Sequence, residues 1–140
     1  MKYYDVLLYH CICPVGGAEV MVTDQKNAYD FYTKKLGFEK SVFKTEHDST
    51  YAEVSLPNSS FRISLVSPSS ISNPKKRTLA KDRIGGSTGL WFYTKNIKKF
   101  YDFLKSNGVK VCPPQTQPWG EKQVEFLDQD NNGFVVFERL

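Results

Sequence analysis

The side chains that could do chemistry in this sequence are few and scattered. The densest group is His10, Cys11 and Cys13, a His-x-x-Cys spacing of the kind that can hold zinc. In extended chain Cys11 and Cys13 share one side while His10 points to the other, so the trio cannot chelate without a bend. Its completing partners are remote: the other histidine, His47, falls in an expected turn, and Cys112 sits on a later strand. Ordinary N-terminal residues are the better reading. No glycine-rich phosphate loop or nucleophile-elbow serine occurs. Glu19 and Glu53 are the candidates for acid–base work without a metal. The cations Lys75-Lys76-Arg77, with Lys81 and Arg83, could attract an anionic ligand, but charge runs usually face water and a solvated linker is the first reading.

The elements that must position these residues follow one order twice. Val20–Thr23 reads as a β-strand, and Asp24 as the cap whose carboxylate takes the free amides of a helix. Gln25–Leu36 places Ala28, Phe31, Tyr32 and Leu36 on one helical face, closed by Gly37. Three strands are expected over Phe38–Lys44, Thr50–Leu56 and Ser60–Val66, joined by polar turns. The order then recurs. Leu90–Thr94 is a strand, Asn96 caps a helix lined by Ile97, Phe100 and Leu104, and Asn107-Gly108 ends it. Strands over Val109–Cys112, Gln123–Leu127 and Phe134–Glu138 follow, the last after a turn rich in Asp and Asn. Two β-α-β-β-β modules, about 16–66 and 89–140, imply an α+β fold of curled mixed sheets with a helix on each convex face, cupped around a cavity. Residues 67–88, rich in Ser, Pro and Gly, read as the linker.

Composition narrows the partners. The 140 residues suit one domain, and 40 % hydrophobic with 14 % aromatic residues is ample for a core and a lined cavity. A net charge of +4, spread along the chain, is too mild for a nucleic-acid face. No apolar run approaches a membrane span, and the opening residues lack the layout of a secretion signal. Three cysteines without a regular framework suit a reducing compartment, so a cytoplasmic protein is expected.

Several stretches together resemble the vicinal-oxygen-chelate superfamily, in its glyoxalase and bleomycin-resistance-like branch. Val20–Asp24 leading to Phe31-Tyr32-Thr33-Lys34-Lys35-Leu36-Gly37-Phe38 resembles its opening strand and helix, and Phe126–Phe134 is similar to its closing turn. Gly85–Gly89 and Gln117–Gly120 resemble further elements of that branch. In metal-dependent members, the resemblance implies, a divalent cation is held by His and Glu side chains from several strands. Counted against the motifs, those positions fall here on Gly17, Ser64, Gly89 and Val135. Glycine and valine offer no donor atom and a lone serine hydroxyl is a poor one, so neither metal nor other cofactor is expected.

Strand alternation from those positions turns Glu19, Met21, Arg62, Ser64, Trp91, Tyr93 and Phe137 toward the cup. Trp91, Tyr93 and Phe137 either stack on a planar ligand or simply fill the cup as core. Glu19 and Arg62 either orient its polar ends or are ordinary pairs, Arg62 with Glu53 being one candidate. Trp119 is a rim residue over the cavity or a loop anchor. Two functions remain. The first is a metal-free binding protein for a small, partly aromatic compound, possible classes being an antibiotic or toxic metabolite, working as a homodimer. The alternative is a lyase, isomerase or dioxygenase of the kind found in the family.

Overall fold

Residues 16–139 are described by a computed structural model, and within them the β-α-β-β-β order occurs twice. The first module runs β1 (Gly17–Met21), α1 (Gln25–Lys34), β2 (Glu39–Glu46), β3 (Ser49–Ser55) and β4 (Arg62–Val66). Asp24 caps α1 as its sequence position requires, its Oδ1 accepting from the Asn27 amide at 2.7 Å. The helix stops at Lys34, short of Leu36, because the amides of Lys35 and Leu36 both return to the Phe31 carbonyl. Gly37 then turns the chain at φ +79°, a conformation costly for residues with a Cβ. His47 and Asp48, both at positive φ, make the two-residue turn between β2 and β3.

Residues 67–88 are not the plain linker expected from their composition. Pro68–Ser70 forms a turn of 3-10 helix, and Pro74–Asp82 forms a helix, α2. Asn73 caps it by accepting from the Lys76 amide, and Pro74 occupies a first-turn position where no N–H is needed. Such local signals outweigh a count of Ser, Pro and Gly over twenty-odd residues. The second module also starts earlier than expected, with β5 (Gly86–Thr94), followed by α3 (Ile97–Ser106), β6 (Lys110–Val111), the short β7 (Gln115–Thr116), β8 (Lys122–Leu127) and β9 (Asn132–Glu138).

Each module forms a mixed sheet. The first has the order β1-β4-β3-β2, with β1 parallel to β4; the second has β5-β9-β8-β6, with β5 parallel to β9 and β7 paired to β8. The helix-facing residues of both sheets enter one core. Val20, Val54, Ile63 and Leu65 contribute from the first sheet, Val124, Phe126, Phe134 and Val136 from the second, and Tyr32 and Leu104 from the helices. Rings cross the boundary between modules, Tyr32 meeting Phe134 at 6.1 Å and Phe38 meeting Phe92 at 5.9 Å. Each such side chain, fully buried, stabilises by roughly 1.5–3 kcal/mol.

A polar staple reinforces this junction. The closing turn carries Asp128, which is 3 % exposed and makes no ion pair among the described residues. Its carboxylate accepts from Tyr32 Oη at 2.7 Å, from the amides of Asp130 and Asn132, and from Asn132 Nδ2. Asn132 Nδ2 also donates to the Met21 carbonyl, so one turn grips α1 and β1 of the other module. Four donors replace the water such a buried charge would lose.

Candidate functional site

Because alternate strand residues point to opposite faces, the partners of the core residues form the outward face of each sheet. In the first sheet Gly17 lies opposite Arg62, and Glu19 opposite Ser64, whose other neighbour across the ladder is Glu53. Glu19, Ser64 and Glu53 thus make one row across three strands, the two carboxylate-bearing residues about 10 Å apart at the backbone. A register shift between Lys40 and Val42 frees Ser41 from the β2–β3 ladder. Its hydroxyl donates to Glu53 Oε1 at 3.3 Å and accepts from Arg62 Nη1 at 2.8 Å. Tyr51, two residues before Glu53 on β3, donates its phenol proton to Glu53 Oε2. Arg62 Nε lies 3.7 Å from Glu53 Oε1.

Glu53 is the sheltered centre of this cluster, its side chain 14 % exposed against 46 % for Arg62. The ion pair is therefore half solvated and contributes under about 1 kcal/mol; its effect is to orient. The hydrogen bond to Glu53 raises the Tyr51 phenol above its ordinary range, the carboxylate's charge adding to the shift. Tyr51 accordingly stays protonated at neutral pH. Both oxygens of Glu53 accept donors, so the carboxylate is held in one orientation.

Above the row lies a hollow of about 510 Å³ lined by Gly17, Glu19, Glu53, Arg62, Ser64 and, from the end of α2, Arg83. A second hollow of about 290 Å³ shares Glu19 and Arg83 and reaches Met21, Ser87, Thr88 and Asn132. Thus Glu19, Glu53, Arg62 and Ser64 line one hollow, and Met21 lines the next. The other expected residues stand elsewhere. Trp91 and Tyr93 on β5 are 60 % and 53 % exposed on the outward face of the second sheet, not in the core. Tyr93 lies beside Phe137 at 6.4 Å, with the Arg139 guanidinium 5.0 Å from its ring. None of these lines the polar hollow. Trp119, also largely exposed, donates its indole N–H to Glu121 Oε2 at 2.8 Å within the loop between β7 and β8. The trio His10, Cys11 and Cys13 lies outside the described residues.

Comparison with known proteins fits this architecture. Residues 10–136 match the family model of the glyoxalase/bleomycin resistance protein/dioxygenase superfamily. The chain belongs to this superfamily. A superfamily member from Sphaerobacter thermophilus has a crystal structure that superposes with a TM-score of 0.79 at 32 % identity, covering 91 % of this chain and 98 % of that one. TnmS3, an antibiotic binding protein from Streptomyces sp. CB03234, shares the fold with a TM-score of 0.75 at 24 % identity, over 93 % of this chain and 98 % of its own. An uncharacterized protein of Shewanella frigidimarina is 31 % identical over 104 residues, 72 % of this chain and 76 % of its own.

At Gly17 and Gly89, two positions where the resemblance implies side-chain ligands, the backbone leaves a side chain no unstrained place. A Cβ added at Gly17 would overlap the carbonyl oxygen of Arg62 on the paired strand. Gly89 has φ +72°, where a residue with a side chain is strained, and lies within the register shift between Ser87 and Trp91. Val135, which faces Trp91 across the ladder, is on the outward face of the second sheet, apart from Gly17 and Ser64 on the first.

Sequence reasoning passed over Tyr51 and Ser41, and set Arg83 among the cations of a solvated linker that could attract an anionic ligand. Tyr51 was within reach, since it shares strand parity with Glu53. Ser41 was not, because its orientation depends on a bulge that leaves no local mark. Arg83 was weighed there but discounted by reading α2 as linker, although Asn73-Pro74 announces a helix.

Proposed function

We propose that this protein binds a small organic compound in the hollow of its first sheet without a catalytic metal, as a sequestering rather than a converting protein. The observation that carries this reading is the hollow itself. It is walled by small residues at Gly17 and Ser64 and fitted with an oriented polar cluster, Glu53 with Tyr51, Ser41 and Arg62. The donor set at Gly17, Ser64, Gly89 and Val135 does not fit a divalent cation, and at the two glycines the backbone itself resists a ligating side chain. Likeness to a Streptomyces protein described as antibiotic binding supports the same class of function, with an antibiotic or toxic metabolite as the ligand.

The reading includes a homodimer. The polar hollow and the aromatic face of Trp91, Tyr93 and Phe137 both point away from the common core, so neither closes on the other within one chain. A second copy laying its aromatic face over the hollow would enclose a ligand with a polar base and a flat apolar lid. The free, exposed thiol of Cys112 suits a reducing cytoplasm. No described helix is long and apolar enough to cross a membrane.

The test is a thermal-shift screen of planar natural products, followed by mass spectrometry of any compound bound. Recovery of an unchanged compound, with a particle mass near twice 16.0 kDa, is expected. Conversion of the compound that depends on an added divalent metal would overturn the reading.

A further inference from the structure

We infer that the compound held in the polar hollow carries an oxyanion, most simply a carboxylate, and that Arg83 is the residue that recognises it. This rests on the binding reading above and adds the ligand's charge. The cations that looked like one cluster in the sequence are separated by the structure. Arg77 is consumed by its own chain, its Nε donating to the Ile71 carbonyl at 2.8 Å and Nη2 reaching that of Ser72. Lys75, Lys76 and Lys81 are exposed on α2. Arg83, the C-cap residue of α2, is also exposed, but of these cations it alone lines both hollows.

No side-chain hydrogen bond or ion pair among the described residues engages Arg83. A guanidinium offers five donors in a planar fork that matches a carboxylate or phosphate, so an unengaged one over a built cavity points to such a partner. The other charged groups of the hollow have partners or carry the opposite sign. Glu53 is offset by Arg62 and by the hydroxyls of Ser41 and Tyr51. That leaves Glu19 as the unengaged carboxylate of the first hollow, and Glu19 with Asp82 in the second, so among the described residues the guanidinium of Arg83 is the one unengaged cation lining both. A ligand oxyanion on Arg83 would place the ligand's body over Ser64 and Gly17, where the wall is low.

The experiment compares 2-naphthoate with its neutral relative 2-naphthamide, titrated into the full-length protein and followed by calorimetry. Naphthoate is expected to bind about tenfold more tightly, the value of one charge-assisted contact. Arg83→Gln should erase that preference by lowering naphthoate affinity about tenfold. Lys81→Gln removes a charge from the same helix without touching the hollow and should keep the preference. Equal binding of the two compounds, or a preference that survives Arg83→Gln, or one lost equally in Lys81→Gln, overturns the role of Arg83 and leaves the binding function standing. Failure of both compounds to bind at millimolar concentration overturns the inference and counts against the binding function as well.

Discussion

Replacing Tyr32 by Phe isolates one atom of the staple between modules. The ring is fully buried and packs against Phe38 at 5.5 Å and Phe134 at 6.1 Å, and Phe preserves both contacts. What is lost is the hydroxyl that donates to Asp128 Oδ2 at 2.7 Å. Asp128 keeps its donors from the Asp130 and Asn132 amides and from Asn132 Nδ2, so its charge is weakened in support, not orphaned. A buried hydrogen bond to a charged acceptor is worth about 2 kcal/mol, and burial leaves no solvent to screen it. With an unfolding entropy near 0.3 kcal/mol per degree for a chain of this length, the melting temperature should fall by about 7 °C. The dependence on pH carries a sign. Burial, and then the neighbouring charge of Asp128, push the Tyr32 phenol well above its ordinary range. Its protonated form is thus favoured more in the folded state than in the unfolded one. The stability it contributes is complete below the unfolded pKa, about 10, and is lost as pH rises through the higher folded value. Urea unfolding of wild type and Tyr32→Phe at pH 7 and at pH 11 measures both effects. The gap should be about 2 kcal/mol at pH 7 and narrower at pH 11. A gap under about 0.5 kcal/mol at pH 7, the level of an inert surface change, would refute the assigned role of the hydroxyl. So would a gap that fails to narrow.

Two further outcomes follow from the site. Trp91→Ala should barely move the melting temperature, because the indole is 60 % exposed, whereas a truncated core Trp costs about 3–5 kcal/mol; it should weaken dimerisation in sedimentation velocity and ligand binding in calorimetry. A steep thermal loss with an unchanged dimer would remove Trp91 from the interface. Gly17→His puts an imidazole at a position where the superfamily resemblance implies a metal ligand, yet it should lower the melting temperature without creating a stoichiometric metal site, because its Cβ meets the Arg62 carbonyl. Elemental analysis showing about one metal ion per chain in this variant or in wild type would show that the strands can part, and that the backbone argument fails.

What the sequence discloses here depends on how far each signal has to reach. Asp24 and Asn96 were legible as caps because a cap is a bond to an amide three residues on, and both bonds are present. The outward orientation of Glu19, Arg62, Trp91 and Tyr93 was legible because alternation along a strand is also local. It held for Trp91 even though a register shift lies just before it. Ser41 was not legible: which way it points is decided by a bulge, and a bulge is settled by the pairing of two strands rather than by one. The meeting of faces was less legible still. Alternation says that Glu53 and Trp91 each leave the core, but not whether those outward faces confront each other within one chain. That is decided by which sides of the modules turn together. Here the helix-side faces do, drawn by Phe38 on Phe92, by Tyr32 on Phe134 and by the reach of Tyr32 to Asp128. Once those contacts form, the polar hollow and the aromatic face must both look outward. A second chain that laid its aromatic face over the hollow would enclose a ligand with both kinds of surface, which is the dimer proposed above and the one that sedimentation of Trp91→Ala tests.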